Sequence, residues 1–241
     1  MDMNSFLPIQ VPWTPQTATS APKQAPSFFP YADNAGTVAA ISGTDFAVLA
    51  ADTRQSAGGN YLINTRYQPK MFKLSNGSVF GTSGFYGDAT TFLNRINQRL
   101  EWYRHAHDKE MSTPALAQLI SILLYSRRFF PYYVRVLLGG LDLEGRGVVY
   151  GYDSIGSYEA CLSRAVGSGG KMIQPFLDNQ IERKTQTGIL RAPLTLDKTK
   201  TIMRDAFTSA AERDIYTGDY VEIFTITAQG VNVEKFDLRK D

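Results

Sequence analysis

This chain of 241 residues has few of the sequence features that secreted proteins, membrane proteins and many catalytic sites require. Its single cysteine, Cys161, cannot form a disulfide within the chain, which is typical of a reducing compartment. No apolar run approaches the roughly 18 residues needed to cross a bilayer. Met1–Gln10 lacks the basic start and the long apolar stretch of a signal peptide. We therefore expect a soluble intracellular protein.

The chain also lacks an excess of charge of either sign. Twenty-five basic and 23 acidic residues leave a net charge of +2 at pH 7, which gives no reason to expect a nucleic acid or a membrane as partner. The hydrophobic fraction of 43% and the charged fraction of 20% are those of an ordinary globular protein. The length fits one domain with a large core.

The first thirty residues differ in composition from the rest. They hold six of the eleven prolines, namely Pro8, Pro12, Pro15, Pro22, Pro26 and Pro30. Because proline is excluded from helix interiors and central strands, we expect residues 1–30 to be a leader or propeptide, or a flexible tail. Trp13, Phe28 and Phe29 leave open whether this segment docks on a neighbouring surface or is loosely held. Residues 31–241 are predicted to form the folded domain.

Hydrophobic patterning after residue 30 predicts hairpins and helices in groups. The predicted strand pairs are Thr37–Ile41 with Phe46–Ala51, Met71–Leu74 with Val79–Ser83, Val134–Leu138 with Gly147–Asp153, and Tyr220–Thr227 with Val231–Leu238. Two predicted helices start at caps, Asp88 for the first and Thr113-Pro114 for the second, and two more lie around Lys171–Asn179 and Asp197–Arg213. Because the helices come in pairs, the order favours two antiparallel sheets covered by helices over a doubly wound parallel sheet.

Several common catalytic arrangements lack the residues that they need. His105 and His107, the only histidines, are two apart near a helix end, so they point about 200° from each other and cannot hold one metal together. With those two as the only base candidates, a Ser-His-Asp or Cys-His site is not expected. Cys161 lies between apolar neighbours, which favours a packed thiol over a nucleophile. No phosphate-binding glycine loop of known spacing occurs. We expect no metal and no cofactor.

An ordered set of short motifs carries a family resemblance. These are Gly36-Thr37, Ala51-Asp52-Thr53-Arg54, Pro69-Lys70, Thr82-Ser83-Gly84, Gly167-Ser168-Gly169 and the run from Glu212 to Asp219. From about Tyr31 to Asp241, the chain resembles a β-type subunit of the 20S proteasome. Three further segments, 128–134, 150–158 and 175–180, resemble the eukaryotic subunit at ring position six. The resemblance implies an α+β fold, the four-layer αββα sandwich of N-terminal-nucleophile hydrolases, which agrees with the element order.

The resemblance also implies a site without its nucleophile. In active members an N-terminal threonine, freed by cleavage after a glycine, attacks the peptide carbonyl. The supporting positions that the resemblance implies are Asp52, Lys70, Gly84 through its amide, Ser168, Asp214 and Thr217. The nucleophile position falls on Gly36, sixteen residues before Asp52, and glycine has no nucleophilic side chain. The expected function is a non-catalytic structural subunit in which these positions are vestigial.

Each retained residue also has a structural interpretation. Asp52 and Arg54 could form a pair, and Asp214 could cap or bridge near a helix end. Gly84 and Gly169 suit tight turns where a Cβ atom would clash.

Two alternative functions stay open. Gly36-Thr37 mimics a processing junction, so the chain could be an active protease with Thr37 as nucleophile. However, Thr37 precedes Asp52 by fifteen residues, and a slip of one residue turns a strand side chain to the opposite face. We therefore expect Thr37 to point away from Asp52 and Lys70 unless the turn at Ser42–Asp45 absorbs the difference. A free-standing binding or amidohydrolase module is disfavoured by the position-six motifs.

The resemblance further implies partners and one site in a neighbour. Asp153 is expected to face the substrate channel of the subunit at ring position five, and a role in the turn Asp153–Gly156 is the alternative. The implied partners are other β subunits in the same and opposite ring, α-ring subunits and assembly factors. The implied process is ATP- and ubiquitin-dependent protein degradation in the cytoplasm and nucleus.

Overall fold

The computed structural model of the protein describes residues 30–57, 62–184, 186–188 and 193–240. The predictions for residues 1–29, with Trp13, Phe28 and Phe29, lie outside the described residues. The compact unit described below spans Tyr31–Asp241.

Two five-stranded antiparallel sheets form the centre of this unit. The strands are β1 Thr37–Ser42, β2 Phe46–Asp52, β3 Gln55–Ser56, β4 Ile63–Thr65, β5 Met71–Lys73, β6 Val79–Gly84, β7 Val134–Leu141, β8 Gly147–Tyr152, β9 Tyr158–Cys161, β10 Ser163–Gly167, β11 Tyr220–Thr227 and β12 Gly230–Asp237. The first sheet has the order β10-β1-β2-β11-β12 and the second has the order β5-β6-β7-β8-β9. Strands β3 and β4 form a separate short ribbon.

Four α-helices cover the outer faces of the two sheets. They are α1 Tyr86–His107, α2 Thr113–Tyr125, α3 Gly170–Leu177 and α4 Leu196–Ala211, with a π-helical turn at Asp178–Glu182 after α3. Phe92 of α1 and Leu116 of α2 share an apolar cluster with Phe80 of β6. Phe207 of α4 shares another with Ile41 of β1.

A third apolar cluster lies between the two sheets and completes the layers. Strand β1 shows the pattern, because Val38 and Ala40 belong to the cluster between the sheets whereas Ala39 and Ile41 belong to the cluster under α3 and α4. A strand covered on both faces is apolar throughout, which explains why this one has no polar alternation. The predicted four-layer αββα arrangement is confirmed.

The four predicted hairpins are confirmed, and two predicted helix caps are wrong. The N-cap of α1 is Phe85, and the Asp88 carboxylate instead accepts a hydrogen bond from the Tyr133 N–H at 2.8 Å. The cap of α2 is Ser112, one residue before the predicted one, and its hydroxyl accepts from the Ala115 N–H. Pro114 lies in the first turn as predicted.

The sequence patterns missed strands β3, β4, β9 and β10. These strands are two to five residues long, and most of their side chains are only partly buried. Such short strands carry too weak an alternation to be detected. Among the described residues, no helix has both the length and the apolar character that a membrane span requires.

Candidate functional site: a buried polar cluster at the start of strand β1

The predicted site positions meet where strand β1 begins. Gly36 directly precedes β1, and Asp52 ends β2, which pairs with β1 so that Val38 lies opposite Ala51. The other positions lie at the ends of secondary-structure elements or in the loops between them. Lys70 precedes β5, Gly84 ends β6, Ser168 lies between β10 and α3, and Asp214 and Thr217 lie between α4 and β11.

Lys70 and Asp52 form a buried ion pair in this cluster. The Lys70 Nζ donates to Asp52 Oδ1 at 3.0 Å and to the backbone carbonyls of Asp52 at 3.0 Å and Arg54 at 2.6 Å. Burial raises the pKa of Asp52 and lowers the pKa of Lys70, and in each case the attraction of the partner acts in the opposite direction. All three donor positions of the ammonium group are therefore used in holding the ends of β2 and β5 together.

Gly36 lies against the ammonium end of Lys70. Its φ is +88°, and a Cβ atom added to it would lie 2.5 Å from Lys70 Nζ. Its carbonyl accepts a hydrogen bond from the Ser168 N–H at 3.1 Å. The position next to the lysine thus holds backbone alone and carries no nucleophilic atom.

Thr37 is fully buried and its hydroxyl belongs to a different set of partners. Its N–H donates to Asp52 Oδ1 at 2.7 Å, while its Oγ1 accepts from the Gly169 N–H at 2.8 Å and lies 2.7 Å from Thr217 Oγ1. The Thr217 hydroxyl donates to Asp214 Oδ2 at 2.6 Å. Because the Thr217 hydroxyl proton is used in the bond to Asp214, the Thr37 hydroxyl must be the donor to Thr217. The hydrogen bonds therefore run from the Gly169 N–H through Thr37 and Thr217 to Asp214.

Two glycines and a serine complete the cluster. A Cβ atom on Gly84, whose φ is +105°, would lie 2.5 Å from the carbonyl oxygen of Tyr133. A Cβ atom on Gly169 would lie 2.8 Å from Thr37 Oγ1. Both positions therefore require glycine for close packing. The Ser168 hydroxyl is buried and has no hydrogen-bond partner among the residues that the structure describes.

Comparison with known proteins identifies the family. A family model with the description "Proteasome subunit" matches residues 32–226. The chain belongs to the proteasome subunit family. This confirms the N-terminal-nucleophile hydrolase fold implied by the sequence motifs.

Similar proteins occur in a fish, an insect and a yeast. The chain is 49% identical over 214 residues to the proteasome subunit beta type-1-B of Carassius auratus, which covers 89% of this chain and 90% of that protein. It is 48% identical over 218 residues to the beta type-1 subunit of Drosophila melanogaster, with 90% and 92% covered. It is 43% identical over 223 residues to the beta type-6 subunit of Saccharomyces cerevisiae, with 89% and 92% covered. The predicted resemblance to the eukaryotic β-type subunit at ring position six is confirmed.

This proteasome subunit has a second buried charge cluster that the sequence did not reveal. Asp219 accepts from Arg54 Nε at 2.9 Å and also forms an ion pair with Arg66. The Arg54 Nη1 donates to the carbonyl of Ile215 at 2.9 Å. The predicted pair of Asp52 with Arg54 holds only through the backbone, because the Arg54 N–H donates to Asp52 Oδ2 at 3.3 Å. The ion-pair partner of Asp52 is Lys70 and that of Arg54 is Asp219. In the sequence, the one indication that Asp219 could be buried is its position directly before the apolar strand β11.

Asp153 of this subunit closes a surface turn. Its Oδ1 accepts from the N–H groups of Ile155 at 3.0 Å and Ser157 at 2.8 Å, and the side chain is exposed. Its other carboxylate oxygen makes no hydrogen bond within the described part of the chain. The residue thus has a local structural partner and one free oxygen at the surface.

The remaining candidates of this proteasome subunit lie outside the polar cluster at the start of β1. His105 and His107 lie exposed in the last turn of α1, and the described residues contain no group of His, Cys, Asp and Glu that could hold a metal. Cys161 packs beside the cluster between the sheets, and burial raises the pKa of its thiol to about 12. A thiol with so high a pKa is a poor nucleophile near neutral pH.

Proposed function

We propose that this chain is a non-catalytic structural β subunit of the 20S proteasome core particle. The observation that supports this proposal most directly is at Gly36, where backbone alone faces the ammonium group of the buried Lys70. Asp52, Lys70, Gly84, Ser168, Asp214 and Thr217 are then vestigial site positions that now serve packing and hydrogen bonding. Asp52 and Lys70 illustrate this, since the two buried charged side chains neutralise each other.

The same proposal covers the partners and the setting. The subunit contacts other β subunits of its own ring and of the opposite ring, as well as α-ring subunits, and assembly factors bind it before the particle is complete. It acts in ATP- and ubiquitin-dependent protein degradation in the cytoplasm and nucleus. The relatives support the assembly partners through their names, which are those of proteasome β subunits.

An active protease with Thr37 as nucleophile is the second candidate. One observation favours it: cleavage after Gly36 would convert the Thr37 N–H, which lies 2.7 Å from Asp52 Oδ1, into an ammonium group beside a carboxylate. The Thr37 hydroxyl argues against it, because its partners are Gly169 and Thr217 and not Lys70.

The intact mass of this chain in the native purified particle separates the two candidates. A mature chain that begins upstream of Thr37 leaves Thr37 as an internal amide and supports the structural subunit. A chain that begins at Thr37 supports the protease.

Substitution of Thr37 provides an independent test. For a structural subunit, Thr37→Ser and Thr37→Val leave every peptidase activity of the assembled particle unchanged per particle. For a protease, Thr37→Val abolishes one peptidase activity while Thr37→Ser retains part of it, because serine keeps a hydroxyl nucleophile.

Asp153 is proposed to form part of the wall of a neighbouring active site. Asp153→Asn removes the charge but keeps an acceptor for the turn, and it should change the preference of the neighbouring site for basic over neutral peptide side chains. Asp142→Asn is the matched control, because Asp142 Oδ1 also accepts from two backbone N–H groups, those of Glu144 and Arg146, in the β7–β8 hairpin. Unchanged kinetics for several peptides would contradict this role.

A further inference from the structure

Two tyrosines that are distant in sequence lie side by side on the surface of the domain. Tyr67 belongs to the loop between β4 and β5, and Tyr220 is the first residue of β11, 153 residues further along the chain. Their ring centroids are 5.2 Å apart with an angle of 27° between the planes, and their hydroxyl oxygens are 3.3 Å apart. Tyr67 is exposed and Tyr220 is partly exposed, so both phenols are accessible from solvent.

The backbone and side chain of Thr53 hold the two tyrosines in this arrangement. The Thr53 carbonyl accepts from the Gln68 N–H at 2.8 Å, and the Thr53 N–H donates to the Tyr220 carbonyl at 2.9 Å. The Thr53 hydroxyl donates to the Arg66 carbonyl at 2.7 Å. The residues on both sides of Tyr67 are therefore bonded to the same residue as Tyr220, and the two rings are positioned before any reaction takes place.

Basic side chains surround the two phenols. Lys235 Nζ lies 4.5 Å from the Tyr220 ring centroid and 5.5 Å from that of Tyr67, and Lys240 Nζ lies 4.5 Å from that of Tyr220. The hydrogen bond from Tyr67, together with that from Lys240, lowers the pKa of the Tyr220 phenol, and Asp237 acts in the opposite direction. The same bond between the tyrosines raises the pKa of Tyr67. Tyr220 therefore loses its proton more readily, and a phenolate is oxidised more readily than a phenol.

Stacked tyrosines occur elsewhere in the chain without this arrangement. Tyr31 stacks on Tyr133 with centroids 5.6 Å apart, and Tyr152 stacks on Tyr158 at 5.3 Å. The hydroxyls of Tyr31 and Tyr152 donate to backbone carbonyls, and that of Tyr158 donates to a glutamine side chain. Phenoxyl radicals couple at the carbons next to the one that carries the hydroxyl. The pair in which the two hydroxyls meet is therefore the one placed for coupling.

We propose that Tyr67 and Tyr220 form a site of oxidative modification, at which a one-electron oxidant converts the pair into a dityrosine cross-link. Each phenol gives one electron to an oxidant molecule and one proton to water, which leaves two phenoxyl radicals. The radicals couple through a new bond between an ortho carbon of each ring. The hydrogens on these two carbons are then lost to solvent as the two oxygens regain protons. The net change is the loss of two hydrogen atoms, and two equivalents of oxidant are consumed.

The cross-link joins the two sheets of the domain covalently. Tyr67 lies shortly before β5 of the second sheet, and Tyr220 begins β11 of the first. Because the link connects residues that are 153 apart in sequence, it restricts the unfolded chain and should raise the urea concentration at which the chain unfolds. The inference goes beyond the proposed function and does not depend on it, since neither tyrosine belongs to the polar cluster at the start of β1.

Photo-oxidation of the full-length chain in the purified particle tests this proposal. A light-activated ruthenium tris-bipyridine complex with persulfate supplies the one-electron oxidants, and tandem mass spectrometry of tryptic peptides identifies the linked tyrosines. We expect the Tyr67–Tyr220 link to form at least tenfold faster than a link within the Tyr31–Tyr133 or Tyr152–Tyr158 pair. The intact chain should become lighter by two hydrogen atoms, which shows that the link lies within one chain. A chain that only gains oxygen, or whose two tyrosines link only to other chains, overturns the proposal.

Conservative variants and unfolding distinguish the arrangement of the pair from its exposure. Tyr67→Phe and Tyr220→Phe keep a ring for stacking but cannot form the phenoxyl radical, so each should abolish the link. Tyr133→Phe is the matched control, because it removes one hydroxyl from a stacked pair elsewhere and should leave the rate of the Tyr67–Tyr220 link unchanged. In urea, the wild-type chain should lose its tenfold preference, because the unfolded chain no longer holds the rings together. A preference that persists in urea, or that Tyr133→Phe removes as completely as Tyr67→Phe does, overturns the proposal.

Discussion

The ammonium nitrogen of Lys70 lies 2.5 Å from the point where Gly36 would carry a Cβ atom. Any side chain at this position must displace Lys70, which is held by three acceptors. The glycine is thus required by packing as well as by its φ of +88°. This relationship leads to the first prediction.

Gly36→Ala should lower the free energy of unfolding of the full-length chain by about 2 kcal/mol or more, because strain and the clash with Lys70 add together. Chemical denaturation measures this change. Gly77→Ala is the control: Gly77 has a similar φ of +82° but no atom within 4 Å of an added Cβ. It should cost only about 1 kcal/mol. Equal effects of the two substitutions would contradict the role of Lys70.

Lys70→Met should destabilise the chain by about 3–5 kcal/mol, because it leaves the Asp52 carboxylate buried without its charged partner. Adding Asp52→Asn should recover part of this loss, since the double variant buries no charge in the pair. Denaturation of the two single variants and the double variant gives the coupling energy. Arg104→Met breaks an exposed pair with Glu101 and should change stability by less than about 0.5 kcal/mol. A double variant that is no more stable than Lys70→Met would show that charge burial is not the cause.

Arg54→Lys should cost about 2 kcal/mol or more, because lysine cannot bond Asp219 and the Ile215 carbonyl at the same time with the geometry of a guanidinium group. Gly218 is part of this fit, since a Cβ atom there would lie 2.5 Å from Arg54 Cζ. Arg146→Lys, at an exposed arginine that pairs with Asp142, should be nearly neutral. Thermal denaturation of both variants checks the prediction, and a similar small shift for both would contradict it.

Cys161 should react slowly with iodoacetamide at pH 8. Its pKa is raised to about 12 by burial, so the thiolate fraction at pH 8 is far below that of an ordinary cysteine with a pKa near 8.5. The rate in the folded chain should rise with each unit of pH up to pH 10, whereas the rate in the urea-denatured chain should level off above pH 9. Mass spectrometry of the alkylated chain measures both rates. A plateau below pH 9 in the folded chain would contradict the raised pKa.

The sequence predicted the elements that contribute most to the core. Strands β1 and β2 are fully buried on both faces, so their apolar runs were visible, and the Asn76-Gly77 turn identified the β5–β6 hairpin. The ribbon β3–β4 was missed because its side chains contribute little to any apolar pattern. A local sequence pattern reveals a strand through its buried apolar residues or through the turn beside it. A strand that has neither feature cannot be predicted in this way.

The candidate site was predictable as a set of positions but not as a set of contacts. The resemblance brought Asp52, Lys70 and Asp214 together, and the structure places them around the start of β1. The ion-pair partner of the Arg54 guanidinium group could not be predicted, because Asp219 is close to it only in the fold, whereas Asp52, two residues away in sequence, bonds the Arg54 backbone N–H. Asn34, which precedes β1, hydrogen-bonds Ser56 of β3, Gly84 of β6 and Tyr86 of α1, and no local pattern could indicate contacts with three separate elements.

The pairing of β2 with β11 has a consequence for synthesis of the chain. Asp52 lies opposite Val221, so the first sheet joins strands from near the two ends of the described sequence. The second sheet uses only residues between Met71 and Cys161. On the ribosome, the second sheet can form while the chain is still growing, but β2 must wait for its partner β11, and β1 and β2 must both wait for helix α4 to cover their outer face. During that interval their apolar faces are uncovered, and this is the stage of synthesis at which a chaperone has most to protect.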